Sequence, residues 1–360
     1  MTKPILSKKT GVLIISALML FNTLKTSAQI NQSDKPVFLG LTSYYGSFQV
    51  HASSLYPYNG THPFGVEFEI SRLLLNDNIR ENLGTFVKWG VGLNYVNFNH
   101  HDLGYSISGI GYIEPFIKTQ NQWRYSLKIG GGLAYMSNPF DEVKNPQNLT
   151  YSTRLAFPLY AGASVYYFFT KQLAIKASAS FQHISNGGIK QPNLGINYPV
   201  IGIGMELTNN SYSIPPRRKL NSYKKEKRLE MLLGYSLKED TTNTNDLNVV
   251  TLMVNRSWQI SRINALTAAA LVEYQQMPSK EEAIKEWSLV PMFGHEFLFG
   301  RLRFGQQIGA YVIRGDQASN LLMQNYYLRY IFNSRILTGV NLKAHGRVAD
   351  YLSIQLGILF

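Results

Sequence analysis

The sequence contains no cysteine among its 360 residues, which excludes disulfide bonds and thiolate metal sites. Beyond residue 28 it also lacks any apolar run long enough for a transmembrane helix. Acidic residues are few, since 22 Asp and Glu stand against 35 Lys and Arg, for a formal net charge of +13. Much of this excess of positive charge lies in two segments, 1–28 and 209–227, so it does not predict nucleic-acid binding. It favours a bacterial surface rich in phosphate and carboxylate.

Residues 1–28 have the pattern of a secretory signal. A basic end with three lysines precedes an apolar run at 11–21, which is too short to span a bilayer as a helix. Small residues at 26–28 predict cleavage ahead of Gln29. We therefore expect the chain to be exported.

The rest of the chain consists of segments of about ten residues with alternating apolarity, the pattern of a membrane β-barrel. The 23 Tyr and 19 Phe suit the aromatic girdles of such barrels at both membrane interfaces. The alternation predicts strands in the first half at 37–50, 65–75, 84–98, 104–118, 123–137, 155–169, 172–185 and 198–207. It predicts strands in the second half at 228–237, 247–258, 263–275, 287–299, 301–314, 325–332, 335–345 and 350–360. We therefore expect an all-β fold, a transmembrane antiparallel β-barrel of about sixteen strands.

The final predicted strand, 350–360, has an unbroken apolar face and ends in Phe360. Such a terminus resembles the closing signal of outer-membrane barrels. Together with the signal pattern at the start of the chain, it predicts the bacterial outer membrane as the location. The segment 328–337 also parallels 165–174, which indicates that the second half is a degenerate repeat of the first.

These patterns divide the chain into four parts. We predict a signal peptide at 1–28, an eight-strand repeat at 29–208, a basic periplasmic linker at 209–227 and a second eight-strand repeat at 228–360. Two architectures remain open, namely two eight-stranded barrels in series or one sixteen-stranded barrel joined through the linker. Eight strands enclose an interior filled by side chains, whereas sixteen leave a channel. The single terminal signal slightly favours the sixteen-stranded barrel.

The segment 181–195 closes the seventh predicted strand and opens a loop rich in Asn, Gly and Pro. Side chains two apart on a strand point the same way, so His183 and Ser185 can meet on the apolar, lipid-facing side. A base beside a hydroxyl on such a face suits a nucleophile better than a core. If the chain enters from the periplasm, this loop and the pair lie at the rim of the outer leaflet.

The segment from His183 to Gly195, H-I-S-N-G-G-I-K-Q-P-N-L-G, resembles the signature of the outer-membrane lipid A 3-O-deacylase (PagL-type) family, which is acyloxyacyl hydrolase-like. The likeness is close over about a dozen residues and looser over 37–208. It implies an esterase that removes an ester-linked acyl chain from lipid A, the lipid of lipopolysaccharide, with His183 and Ser185 as the catalytic pair. It implies neither metal nor cofactor.

The same resemblance assigns further site residues. The positions of Gly188 and Asn193 match family residues at the oxyanion hole, and Asn186 belongs to the same oxyanion and binding set. In the family a Glu follows the His by fourteen residues and orients the imidazole, whereas Asn197 stands at that position here. An Asn can accept a hydrogen bond from the imidazole, but it cannot offset the charge of an imidazolium. In serine proteases an amide at this position lowers turnover about ten-thousandfold.

We therefore predict that Asn197 is the third catalytic residue. The esterase is then slow or inactive, or it recruits a carboxylate from the outer loops. The candidate carboxylates are Asp102, Asp141 and Glu142. If the first eight strands closed on themselves, strand one would lie beside strand eight. The loop after strand one would then bring His51 and Ser53 near the motif, either as substrate contacts or as ordinary polar residues of the loop, which is the interpretation we favour.

Two alternatives to this function remain open. The chain can be a non-enzymatic outer-membrane barrel with a degenerate site, one that binds lipopolysaccharide or serves as a structural or channel protein. It can also hydrolyse phospholipid rather than lipid A. Other polar residues have structural interpretations: Glu67 and Glu69 face inward toward Lys or Arg, and His345 makes hydrogen bonds in the interior.

Overall fold

The computed structural model describes residues 36–75, 77–209, 220–223, 225–239, 246–275, 286–315, 320–346 and 348–360. The predicted signal peptide at 1–28 lies outside the described residues, as do residues 210–219 and 224 of the predicted linker. Lys35–Phe360 forms one compact unit. Within the described ranges, no helix is long and apolar enough to cross a membrane.

Sixteen strands form nearly all the regular structure in these described ranges, as the alternation predicts, with ends displaced by a few residues. The first eight are β1 (Val37–Gly46), β2 (Phe64–Leu74), β3 (Val87–Asn97), β4 (Tyr105–Gln120), β5 (Trp123–Met136), β6 (Leu155–Phe168), β7 (Leu173–Ser185) and β8 (Ile196–Thr208). The second eight are β9 (Lys227–Glu239), β10 (Asp246–Ser261), β11 (Asn264–Gln275), β12 (Trp287–Phe299), β13 (Leu302–Ala310), β14 (Leu322–Ile331), β15 (Ile336–His345) and β16 (Val348–Leu359). A 3-10 helix (Ser53–Tyr58) and the helix α1 (Asp77–Leu83) were not predicted.

The strands close into two separate barrels of eight strands each. β1 pairs with β8, and β9 pairs with β16, both antiparallel. Each half thereby pairs its own edge strands and leaves no edge for the other half. The sixteen-stranded barrel that the single terminal signal favoured is therefore wrong. The structure bears out the other alternative, two eight-stranded barrels, whose interiors are filled by side chains.

The outer surface of the barrels is apolar. On β8, for example, Ile201 and Ile203 are 68% and 73% exposed, while Val200 and Glu206 on the other face of the same strand point inward and are buried. The same alternation recurs along the other strands, as expected of a barrel whose outer face meets lipid.

The interior of the first barrel is a network of buried ion pairs. Lys128 Nζ lies 2.9 Å from Glu67 Oε1 and also pairs with Glu69, and Lys176 Nζ lies 2.7 Å from Glu69 Oε2. Lys88 pairs with two further buried glutamates, Glu114 and Glu206. Each charge taken out of water thus has an opposite charge beside it, which offsets its desolvation. The predicted inward network at Glu67 and Glu69 is confirmed.

The second barrel is filled in the same way. Arg329 Nη1 lies 2.7 Å from Glu230 Oε2, and Lys343 Nζ lies 2.7 Å from Glu273 Oε1, with all four side chains buried. His345 is also buried, and its Nε2 lies 3.0 Å from the Tyr311 hydroxyl. The prediction that His345 is an interior hydrogen-bonding residue is confirmed.

An apolar cluster fills the end of the first barrel at which the loops after β1, β3, β5 and β7 gather. Its buried members are Tyr44, Phe48, Leu55, Tyr58, Val96, Phe98, Leu103, Ala134, Met136, Tyr151, Ala156, Ile184, Ile196, Tyr198 and Val200. Two of them, Ile184 and Tyr198, are the inward-facing chain neighbours of His183 and Asn197. The strand ends that carry the predicted site are therefore held by packing on their inner side.

Candidate active site

The predicted pair lies together at the end of β7. Gln182 and Ile184 point into the barrel and are 4% and 1% exposed, so His183 and Ser185 lie on the outer face. His183 Nε2 is 3.0 Å from Ser185 Oγ. A nitrogen base within hydrogen-bond reach of a hydroxyl is the arrangement that can remove the proton of a nucleophile.

Asn197 lies on the neighbouring strand, directly opposite His183. The two residues are register partners in the β7–β8 pair, and their side chains leave the sheet on the same face. Asn197 Oδ1 is 2.6 Å from His183 Nδ1. The three residues predicted as the catalytic set are therefore joined by two hydrogen bonds.

Closure of the first barrel brings His51 to the same place. The chain beyond β1 stays beside β8, since the Gln49 N–H donates to Asn197 O at 2.8 Å. His51 Nδ1 then lies 3.1 Å from Asn197 Nδ2, and His51 Nε2 lies 2.9 Å from Leu194 O. His51 was predicted as a substrate contact, and these polar contacts are with the protein. Ser53, the other predicted substrate contact, is exposed at the start of the 3-10 helix.

Asn186 holds the loop after β7. Its backbone N–H donates to Asn193 Oδ1 at 2.9 Å, and its own Oδ1 accepts from the Gly188 N–H at 3.0 Å. Its Nδ2 donates to Lys190 O at 2.6 Å and to Ser152 Oγ at 3.1 Å. Because the side chain is completely buried, these bonds fix the shape of the loop.

The two residues matched to the oxyanion hole differ in whether their hydrogen-bond donor is free to bind a substrate. The Gly188 N–H is engaged with Asn186, whereas Asn193 Nδ2 is buried and has no hydrogen-bond partner among the described residues. Because Asn193 Oδ1 accepts from the Asn186 N–H, the amide orientation is fixed with Nδ2 as the unpaired donor. An unpaired buried donor calls for an explanation, and an acceptor on a bound substrate supplies one.

Gly188 also lies against the second barrel. Its φ is +82°, and a Cβ built there would lie 2.9 Å from the backbone oxygen of Asp350, near the start of β16. Both the conformation and the contact require a glycine at this position.

Sequence reasoning did not single out Gly195, which packs against the imidazole. Its φ is +77°, and a Cβ at this position would lie 2.7 Å from His183 Cε1. In the sequence Gly195 is the last residue of the 183–195 signature and stands at the end of a loop, a position that by itself indicates only a turn.

The outer-loop carboxylates have other contacts. Asp141 Oδ1 accepts from the backbone N–H groups of Val143 and Lys144 within its own loop. Asp102 Oδ1 lies 2.8 Å from His101 Nε2. The described contacts of His183 include neither Asp102, Asp141 nor Glu142.

One group in the described part of the chain has the donor set of a metal site. His100, His101 and Asp102 have ligand atoms within 4.8 Å of one another. They are consecutive residues of the loop after β3, where burial lowers the pKa of His100. This loop is a different one from the loop that follows β7, and the Ser–His arrangement does not use the group.

A shallow, open groove of about 650 Å³ lies on the outer face of the first barrel, next to the strand ends that carry the pair. Phe181 and Pro199, which line it, are the next outward-facing register pair below His183 and Asn197. The groove is lined by Tyr45, Gly46, Ser47, His62, Ala161, Ala179, Ser180, Phe181, Pro199, Val200 and Ile201. Its walls are mainly apolar, so they suit an alkyl chain.

Several solved structures resemble the chain at low identity. The NanC porin is 10% identical over 89% of this chain and 97% of its own, with a TM-score of 0.17. OccK5 (OpdH) of Pseudomonas aeruginosa is 10% identical over 91% and 97%, with a TM-score of 0.23. A BenF-like porin from Pseudomonas fluorescens Pf-5 is 8% identical over 91% and 98%, with a TM-score of 0.26. At these TM-scores the likeness says nothing about function.

Family models give a more specific result. The model of lipid A 3-O-deacylase (PagL) matches residues 62–206, and the model of the acyloxyacyl hydrolase C-terminal domain matches residues 227–360. No curated protein matches the chain significantly. The two family models together account for most of both barrels. The chain therefore belongs to the lipid A 3-O-deacylase (PagL) family of outer-membrane β-barrel proteins.

Proposed function

We propose that this protein is an outer-membrane esterase that removes an ester-linked acyl chain from lipid A by a Ser/His mechanism. The observation that carries the proposal is the 3.0 Å contact between Ser185 Oγ and His183 Nε2 on the outer face of a barrel. A base and a hydroxyl at this place can act on an ester whose acyl chain is still in the membrane.

The reaction begins when Ser185 Oγ attacks the ester carbonyl and His183 Nε2 takes the hydroxyl proton. The tetrahedral intermediate then collapses, and His183 returns the proton to the departing sugar hydroxyl. The acyl chain is left on Ser185. Water, deprotonated by His183, attacks this second ester, releases the fatty acid and restores the serine hydroxyl. No metal or cofactor takes part in these steps.

Asn193 is the residue that we assign to the oxyanion. Its Nδ2 is a buried donor without a partner among the described residues, held in place because Asn193 Oδ1 accepts from Asn186. A donor fixed before the reaction stabilises the developing negative charge without reorganisation.

The apolar groove supports lipid as the substrate. Its walls include Phe181 and Pro199, one step below the catalytic pair on the membrane side. An acyl chain lying in the groove would leave its ester at the level of Ser185. The same groove would accept a phospholipid chain, so the nature of the head group is left to the experiment.

Mass spectrometry of lipid A tests the proposal directly. Expressed in the outer membrane of a bacterium without such an activity, the protein is expected to remove one ester-linked acyl chain from lipid A. Extracts from the same strain with an empty vector provide the control. Intact lipid A in the presence of the folded barrel would overturn the proposal and favour the non-enzymatic barrel. Shortened phospholipid with intact lipid A would favour the phospholipase alternative.

The groove makes a second prediction. Replacement of Ala179 by Phe should fill the groove and raise KM for long acyl chains at least tenfold. A substrate that loses contact for three methylenes forfeits about 2.4 kcal/mol at about 0.8 kcal/mol each. We expect kcat to change little, and preference to shift toward shorter chains. The control is Val91→Phe, which adds a ring on the exposed outer face of β3. Equal KM values for the two variants would show that the groove does not hold the acyl chain.

A further inference from the structure

The hydrogen bonds around Asn197 form a chain with one direction. It starts at the His51 ring, which lies near two backbone oxygens that only accept: Leu194 O is 2.9 Å from Nε2, and Gln49 O is 3.2 Å from Nδ1. The shorter contact places the ring proton on Nε2. In a neutral imidazole the other nitrogen is then bare, and His51 Nδ1 accepts from Asn197 Nδ2 at 3.1 Å. With the ring proton on Nε2, the Asn197 amide must turn its NH2 group toward His51 Nδ1.

The same direction continues to the nucleophile. With Nδ2 turned toward His51, Asn197 Oδ1 faces His183 and accepts the proton of Nδ1 at 2.6 Å. His183 Nε2 is then bare, and it accepts from the Ser185 hydroxyl at 3.0 Å. If the amide of Asn197 were reversed, its NH2 group would meet Nδ1, the imidazole proton would move to Nε2, and Ser185 would have no base.

We infer that His51 is a positioning residue of the esterase, which fixes the Asn197 amide and, through it, the reactive tautomer of His183. The inference rests on the proposed function for its catalytic consequence. A carboxylate accepts through either oxygen and needs no such partner, whereas an amide has a wrong orientation that must be excluded. His51 is therefore the group that allows an Asn at this position to hold the reactive tautomer of His183.

The size of the effect follows from a known case. In serine proteases an amide in place of the acid holds the wrong tautomer and lowers kcat about ten-thousandfold. An amide held in the correct orientation avoids the loss caused by the tautomer and retains only the loss of the negative charge. His51 precedes the part of the chain that the deacylase model matches, which begins at residue 62.

Two variants of nearly identical shape test the inference in the full-length protein in detergent. His51→Asn keeps an acceptor close to the position of Nδ1, whereas His51→Leu removes it. We expect ¹⁵N NMR of the imidazoles to show His183 with its proton on Nδ1 in the wild type and in His51→Asn. In His51→Leu we expect a mixture of tautomers. The signals of His183 are assigned by their loss in His183→Gln.

Turnover provides the second readout. We expect kcat of His51→Leu to be at least about tenfold below that of His51→Asn, with similar KM values. When Asn197→Asp is added to both variants, their kcat values should differ by no more than about threefold, because a carboxylate has no wrong orientation. A purely structural role of His51 would leave the gap between the variants unchanged in both backgrounds.

The outcomes separate the inference from the proposed function. Equal His183 tautomers in His51→Leu and His51→Asn would overturn the inference, whatever the activity. A wild type that leaves lipid A intact would overturn the proposed function, and the NMR comparison would still decide whether His51 orients the relay. A tautomer change without any gap in kcat would overturn the inferred effect of His51 on catalysis.

Discussion

Replacement of Ser185 by Ala is expected to lower kcat for lipid A at least about a thousandfold while the barrel stays folded. In subtilisin, loss of the whole triad lowers kcat about 2 × 10⁶-fold, and loss of its Asp alone about 3 × 10⁴-fold. If Asn197 were no better than the absence of the acid, the enzyme would already have lost a factor of about 3 × 10⁴ in kcat. Loss of the serine would then lower kcat by only the remaining factor of about 70. The contacts of Asn197 with His183 and His51 keep the correct tautomer, so the serine should account for more.

The measurement is the initial rate of fatty acid release from lipid A in mixed micelles. Ser178→Ala is the matched control, because Ser178 lies on the same strand with its side chain on the opposite face. Labelling with a fluorophosphonate gives an independent readout, since only an activated serine should react. Retention of activity in folded Ser185→Ala would rule out this serine as the nucleophile.

Replacement of Asn193 by Asp is expected to lower kcat about 10²- to 10³-fold, the usual effect of removing one oxyanion donor. The variant keeps the side-chain oxygen that accepts from the Asn186 N–H, so the loop retains that bond. It removes the Nδ2 donor and places a negative charge where the oxyanion forms. Because the lost interaction exists only in the transition state, KM should change little.

Thermal unfolding of Asn193→Asp beside the wild type shows whether the loop is preserved. Asn138→Asp serves as a control for the introduction of a charge, since Asn138 lies in another loop of the same barrel. An Asn193→Asp enzyme with a rate close to that of the wild type would assign the oxyanion to a different donor. The backbone N–H of Gly188 would then be the next candidate, provided that the loop rearranges to free it from Asn186.

The strands could be predicted because a membrane barrel imposes a period of two on every one of them. An outward Ile201 beside an inward Val200 is visible in the sequence before any pairing is known. The closure could not be predicted in this way. Whether β8 pairs with β1 or with β9 depends on contacts between residues far apart in the chain, such as the Tyr45–Ile201 pair.

The candidate site also has a part that the local sequence predicts and a part that depends on contacts between distant residues. His183 and Ser185 are two residues apart on one strand, so local geometry brings them together, and the resemblance adds Asn197 and Asn193. The contact of His51 with Asn197 spans 146 residues and exists only because the first barrel closes. The packing of Gly195 against the imidazole depends on the path of a loop, which strand periodicity does not describe.

The contact of Gly188 with Asp350 closes one side of the site, and the side with the groove stays open to lipid. On the side of β16, the loop after β7 lies against the second barrel, and a Cβ at Gly187 would approach both Phe157 and Leu352 at 3.5 Å or less. The groove lies below the pair and is lined by residues of β1, β6, β7 and β8. A lipid diffusing in the plane of the membrane would thus reach the pair from the side of the groove, and the second barrel would act as a wall at the loop after β7.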